Sequence, residues 1–150
     1  MTKFKDTPET LERVDFRILS NGGIRLYRDR RLLSADLAWL EREGYEMVHF
    51  DCSGFQHLMS RMKQEFYPPD YFHGSLDSLN DCLRDIRVKG IGMVVVFNRM
   101  DQLQYDIIHT ILDMFVDITR QYLIFGRRLI TLIKVDDPDF MVKPVGAISI

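Results

Sequence analysis

The sequence predicts an α/β fold in which helices pack on a small parallel sheet. Met93–Phe97 is a continuous apolar run, which is typical of a strand buried on both faces of a parallel sheet, and Leu129–Ile133 is predicted to be the last buried strand. Between them, apolar residues from Ile107 to Ile118 recur at helical spacing. Strands that alternate with helices in this way favour a parallel sheet with right-handed crossovers.

The N-terminal part of the chain is predicted to form a β-hairpin and then a helix. Phe16–Leu19 and Ile24–Tyr27 flank an Asn-Gly pair, and these two residue types tolerate the positive φ of tight turns. Ser34 can cap the following helix, and Gly44 is a natural residue to end it. We expect this hairpin and helix, residues 1–44, to extend the sheet or to cover one of its edges.

The elements that follow can be assigned in order. A strand is predicted from Tyr45 to Asp51, a helix from Phe55 to Phe66, and a further helix from about Ser75 to Ile86. Pro68 and Pro69 end the first of these helices, because proline lacks the amide hydrogen and clashes with the preceding turn. Without a repeat, a low-complexity stretch or a linker, residues 1–150 are interpreted as one domain.

The composition argues against several classes of function. A formal net charge of −2 excludes a strongly basic chain that would seek phosphates. Cys52 and Cys82 lie far apart and outside any CxxC pattern, which favours two reduced, buried thiols over a zinc site or a disulfide framework. The four histidines form no local metal-binding pattern, and no GxSxG, P-loop, GxGxxG or HExxH motif occurs. We therefore expect no metal, no cofactor and no enzymatic activity.

The N-terminus also bears on location. It has no apolar stretch of the kind found in a signal peptide, and the longest apolar run, Met93–Phe97, is far too short to span a membrane. We expect a cytoplasmic protein with no membrane partner.

One segment of the chain is strongly acidic. Between Glu65 and Asp85 lie five acids and one base, a local balance of −4. Asp77, Asp81 and Asp85 are four residues apart and so share one face of the predicted helix. Like charges at this spacing cost an isolated helix about 0.2–0.5 kcal/mol per pair. From the charges alone, a solvated acidic face is the simpler interpretation.

The same segment resembles the barstar family, the intracellular protein inhibitors of secreted guanyl-specific ribonucleases. The resemblance rests on Pro69-Asp70-Tyr71-Phe72 and on Leu76-Asp77-Ser78-Leu79-Asn80-Asp81-Cys82-Leu83, which match the family's aromatic loop and its Leu-Asp-x-Leu-x-Asp-Cys-Leu helix without a gap. It extends from about Tyr45 to Val135. Residues 1–44 are then an N-terminal extension, and residues 136–150 are a C-terminal tail.

The resemblance implies a sheet with three core strands and a function as an immunity protein that inhibits a ribonuclease or nuclease toxin. In the family, acids enter the phosphate-binding cleft of the enzyme and imitate the RNA backbone. The partner-binding residues that the resemblance implies are Tyr71, Phe72, His73, Asp77, Asn80, Asp81 and Asp117. His73 and Asn80 stand where the minimal family member has Gly and Trp, so the aromatic packing at the rim of this surface is changed.

Two other functions remain open. The scaffold could serve as a regulatory or assembly module. Its first 31 residues contain eight bases and five acids, and they could contact RNA or an acidic patch of another protein. A solvated hairpin is the simpler interpretation of those bases. A hydrolase that uses His49, Asp51 and Cys52 is the other alternative, although such a coincidence in a single sequence is more often structural.

Overall fold

The protein contains five helices and four strands within the residues that the structure, a computed structural model, describes. These residues are 3–66, 79, 82–84, 86, 88, 90–148 and 150. The helices are α1 (Pro8–Leu11), α2 (Val14–Ser20), α3 (Arg30–Arg42), α4 (Phe55–Phe66) and α5 (Tyr105–Ile124), with a 3₁₀ turn at Met100–Gln102. The strands are β1 (Ile24–Tyr27), β2 (Glu46–Asp51), β3 (Met93–Asn98) and β4 (Leu129–Lys134).

The four strands form one parallel sheet in the order β1-β4-β3-β2. The predicted strands at 45–51, 93–97 and 129–133 are confirmed to within one residue at their ends. All of β4 is buried, as is all of β3 except Asn98, which agrees with the apolar run of β3 and with the predicted burial of residues 129–133. The sheet has one strand more than the three predicted for its core, because β1 pairs with β4.

Helices cover both faces of the sheet. Alternate residues of β3 point to opposite sides, so that Val95 and Phe97 join one core cluster and Val94 and Val96 join the other. The first cluster contains α4 and α5, and the second contains α2 and α3. The chain crosses the whole sheet from β1 to β2 and then returns through β3 to β4. Right-handed crossovers in opposite directions place helices on opposite faces.

The predicted N-terminal β-hairpin is wrong. Residues 14–20 form the helix α2, and β1 pairs with β4 in parallel register rather than with a preceding strand. Gly22 and Gly23, with φ of +95° and +77°, end α2, and their amides donate to the carbonyls of Leu19 and Ile18 at 3.3 and 2.9 Å. This is a Schellman motif. Glycines of positive φ serve a helix end as well as a hairpin turn, which is why the same residues suggested the wrong element.

The helix predicted before Gly44 is confirmed, but its start is not Ser34. Asp29 is the N-cap of α3, and its carboxylate accepts a hydrogen bond from the Arg31 amide at 2.8 Å. Ser34 therefore lies one turn inside the helix and is exposed. Gly44 ends α3 with a φ of +99°, as predicted. Leu40 on the inner face of α3 is fully buried against the sheet.

The C-terminal tail packs along α5 and reaches β1. The backbone amides of Lys143 and Gly146 donate to the Tyr105 hydroxyl and the Asp113 carboxylate, both at 2.8 Å. Val145 is fully buried in the same cluster as Ile24 of β1. The N-terminal extension and the C-terminal tail both lie outside the segment that resembles barstar. The helices α2 and α3 of the extension pack on one face of the sheet, and the tail packs with α5 on the other.

Four of the eight bases in the first 31 residues, all of them arginines, have side chains that form ion pairs or hydrogen bonds within the described part of the molecule. Arg13 forms ion pairs with Asp15 and with Glu43, each at 3.0 Å. Arg25 pairs with Asp36 at 3.0 Å. These contacts favour a structural role for the extension over an arm that binds RNA.

Candidate protein-binding site

The structure describes one of the seven predicted partner-binding residues, Asp117. The others lie outside the described residues, so their placement stays a prediction; they are Tyr71, Phe72, His73, Asp77, Asn80 and Asp81. The site is therefore considered through Asp117 and through the described residues in and next to the acidic segment, which are Glu65, Phe66, Leu79, Cys82, Leu83, Arg84 and Ile86.

Asp117 is exposed on the outer face of α5. Its carboxylate accepts a hydrogen bond from the Gln121 amide nitrogen one turn later, at 3.1 Å. The opposite face of α5 is fixed in the core, since Phe115 and Ile118 are fully buried. A carboxylate held on such a helix needs little further ordering when it binds a partner. Asp113, one turn earlier, is already bonded to the tail amide of Gly146.

The described part of the acidic segment is anchored in the core. Leu79, Cys82 and Leu83 are helical, and all three side chains are fully buried. The prediction that Leu79 and Leu83 hold this segment on the core is confirmed, and so is the burial of the Cys82 thiol. Leu76, which was predicted to act with them, lies outside the described residues.

Tyr122 connects the end of the acidic segment to α5. Its buried hydroxyl lies 2.6 Å from the Leu83 carbonyl oxygen and 3.0 Å from that of Ile86, and its single proton can serve one of them at a time. The helix that carries Asp117 is thus bonded to the segment that carries the other predicted acids. Sequence reasoning missed Tyr122, although its position four residues after the buried Ile118 is a signal that could have found it.

The His49-Asp51-Cys52 group does not have the features of a nucleophilic site. Cys52 is fully buried, and burial, reinforced by the charge of Asp51, raises the pKa of its thiol to about 12. The thiol is therefore protonated at neutral pH, whereas the thiolate is the nucleophile. His49 is exposed on β2, between the buried Val48 and Phe50.

Asp51 is engaged with Arg99 across the carboxyl ends of β2 and β3. The guanidinium donates to both carboxylate oxygens, at 3.2 and 2.7 Å, and holds the pKa of Asp51 below its ordinary value. The Ser53 amide and hydroxyl add bonds of 3.1 and 3.0 Å. The two residues lie 48 positions apart in the sequence, so no local sequence pattern predicts that they pair. An acid committed in this way is poorly suited to orient a histidine.

The described residues offer neither a metal site nor a membrane-spanning helix. Over the residues that the structure describes, no three His, Cys, Asp or Glu side chains come together as a metal site. None of the helices that can be described has both the length and the apolar character that a bilayer span requires.

Comparison with known proteins gives one match. The family model described as Barstar (barnase inhibitor) matches residues 45–135, the same bounds that the sequence motifs indicate. No curated protein matches the chain, and no solved structure does. The matched segment contains β2, α4, the acidic segment, β3, α5 and β4, and it leaves the N-terminal extension and the C-terminal tail outside.

Proposed function

This chain belongs to the barstar family, and from that membership we propose that it is an immunity protein that inhibits a ribonuclease or nuclease toxin by covering its active site. The family is one of inhibitors rather than enzymes, and its description names the ribonuclease barnase as the target. The observation that carries the proposal is that the family match spans the whole acidic segment together with the helix bearing Asp117.

The proposed site consists of the aromatic loop, the acidic helix and Asp117. A ribonuclease must bind the phosphate backbone of RNA, so its cleft carries positive charge. The local balance of −4 between Glu65 and Asp85 complements such a cleft. In this proposal Asp77 and Asp81 enter the cleft in place of phosphates, and Asp117 contributes from the later helix.

Rigid support of the acids favours tight binding. The buried side chains of Leu79 and Leu83 and the bond from Tyr122 fix the described part of the acidic segment to the core. Association costs free energy for every side chain and loop that it must order. Acids on supported helices avoid much of that cost, which is what a stoichiometric inhibitor requires.

Inhibition can be tested by titrating the protein into a ribonuclease assay. Barnase is the first enzyme to use because the family description names it, followed by other small basic microbial ribonucleases and by proteins captured from the source cell. We expect at least one nuclease to lose activity at a one-to-one ratio. If no nuclease is inhibited and the captured partners cleave no RNA, the protein is instead a barstar-like scaffold used for regulation or assembly.

The proposed residues can be tested by alanine replacement. Asp77→Ala/Asp81→Ala should weaken binding by about 2–5 kcal/mol or more, since truncating a buried charge strands the cations opposite it. Asp117→Ala should weaken it less. Glu41→Ala, on α3 at the other face of the sheet, removes the same charge as Asp117→Ala and serves as its control. Equal affinity of the wild type and the double variant would end the inhibitor proposal.

The salt dependence of association gives an independent test. Opposite charges on the two proteins should speed their encounter at low ionic strength, since the Debye length is about 10 Å at 0.1 M and about 3 Å at 1 M. Stopped-flow association rates should therefore fall steeply as salt is added. A rate that does not change with salt would indicate an apolar interface and favour the scaffold alternative.

A further inference from the structure

A basic cavity lies where the N-terminal extension meets the amino ends of β3 and β4. Its volume is about 390 Å³, and its lining includes four basic side chains, those of Lys3, Lys5, Arg13 and Arg128. The first three belong to the extension, and Arg128 belongs to the barstar-like segment. The cavity therefore exists only when the extension is docked on the rest of the chain.

The charges around the cavity do not balance. Glu43 is the one acid in the lining, and it pairs with Arg13 at 3.0 Å. Asp15 lies behind the wall, fully buried, and pairs with Arg13 and Arg128. Over the described residues that line or support the cavity, four cations and these two carboxylates give a charge of +2. Among the described residues, no carboxylate forms an ion pair with Lys3 or Lys5.

The wall of the cavity is held rigidly. Arg128 is 95 % buried, and its guanidinium carbon lies 3.8 Å from the centre of the Phe4 ring. It also donates to Asp15 and to the Tyr45 hydroxyl, each at 3.2 Å. Thr10 is 93 % buried, and its hydroxyl lies 3.1 Å from that of Thr7. A fixed cation in a concave wall of low dielectric attracts an anion more strongly than the same charge on an open surface.

We propose that this cavity binds a small phosphate monoester. Such a group carries close to two negative charges at neutral pH, which the local charge of +2 complements. Arginine and lysine donors are the usual partners of phosphate oxygens. The volume lies within the range of small-molecule sites, about 300–1,000 Å³, and suits a mononucleotide or a sugar phosphate. The lining of the cavity shares no residue with the proposed nuclease-binding surface, and its charge has the opposite sign.

Binding can be measured on the full chain by isothermal titration calorimetry and by two-dimensional amide NMR. The probes are 5′-AMP, glucose 6-phosphate and adenosine. Both phosphate monoesters should bind and should shift the amides of Thr7, Thr10 and Ile91, while adenosine should not. Tighter binding of 5′-AMP would identify the ligand as a nucleotide, and equal binding of the two would identify recognition of the phosphate alone.

A variant of two exposed lysines tests the assignment without disturbing the fold. Lys3→Ala/Lys5→Ala should weaken binding of 5′-AMP at least about tenfold, since each lost lysine removes a charge-assisted contact. Lys63→Ala/Lys143→Ala removes the same charge outside the cavity and should leave the affinity unchanged. The proposal is overturned if adenosine binds as well as 5′-AMP, if the two double variants lose affinity equally, or if neither phosphate monoester binds at concentrations up to about 10 mM.

Discussion

Replacing Asp15 should strongly destabilise the protein, because this carboxylate joins the N-terminal extension to the barstar-like segment. Asp15 is fully buried and accepts hydrogen bonds from Arg128 at 3.2 Å and from the Tyr45 hydroxyl at 2.6 Å, besides two from Arg13 at 3.0 Å. Asp15→Ala leaves Arg128, itself only 5 % exposed, without that carboxylate. Breaking a buried pair in this way costs about 3–5 kcal/mol, a large part of the ~5–15 kcal/mol that stabilises a typical domain.

Urea unfolding followed by circular dichroism measures this loss. Arg128→Met should also destabilise the protein. The double variant Asp15→Asn/Arg128→Met should lose less stability than Asp15→Asn and Arg128→Met lose in sum, because it strands no buried charge. Glu65→Ala is a control, because it removes the exposed ion pair with Arg61 at 3.3 Å and should cost at most about 1 kcal/mol. Point changes destabilise proteins by about 1 kcal/mol on average. A smaller loss of stability for Asp15→Ala would refute the reasoning.

Three further changes have defined outcomes. The free energy of unfolding should decrease as the pH rises from about 9 towards about 12, because burial raises the pKa of Cys52 from 9.0 to about 12 and the thiol ionises first in the unfolded chain. Urea titrations at several pH values should show this slope, and Cys52→Ala should make it shallower. Part of the slope should remain, because burial also raises the pKa values of Tyr27 and Tyr45. Arg99→Gly should destabilise the protein less than Arg99→Ala does. Arg99 has a φ of +56°, and this conformation costs a residue with a Cβ about 1–2 kcal/mol. A larger loss of unfolding free energy for Arg99→Gly than for Arg99→Ala, measured with urea, would contradict this. A chain that begins at Tyr45 should be much less stable, because one face of the sheet and the outer edge of β4 are uncovered. Such a chain, when folded, should still bind the nuclease, and a folded form that does not bind would place residues 1–44 in the site.

The candidate site could be proposed from the sequence because all of its residues except Asp117 lie in one contiguous motif. The spacing from Pro69 to Leu83 and the acids four residues apart are visible without a fold, and the family match over residues 45–135 agrees with them. What the sequence could not supply is the support of that site. The exposure of Asp117 and the bond from Tyr122 to Leu83, 39 residues away, follow from how α5 lies on the acidic segment.

The N-terminal extension shows the limit of local patterns most clearly. Asn21-Gly22-Gly23 correctly indicated a reversal of the chain with positive φ, but both a hairpin turn and a helix end need that conformation. Residues 14–20 become helical because their apolar side chains, Ile18 and Leu19, pack with α3 on the sheet. That surface exists only after β3 and β4 have come together.

The sequence by itself determined the central strands, the long helices and the family. Short runs of mainly apolar residues favour strands of a sheet covered on both sides, and apolar residues at helical spacing define one buried face, so each of these elements is indicated by its own residues. Only the tertiary structure decided that β1 joins β4, that the tail closes over α5, and that Asp15 meets Arg128 from 113 positions away. These contacts form because, once the rest of the chain has folded, an unpaired strand edge or a buried charge still needs a partner. No short stretch of sequence shows which edge or which charge that will be.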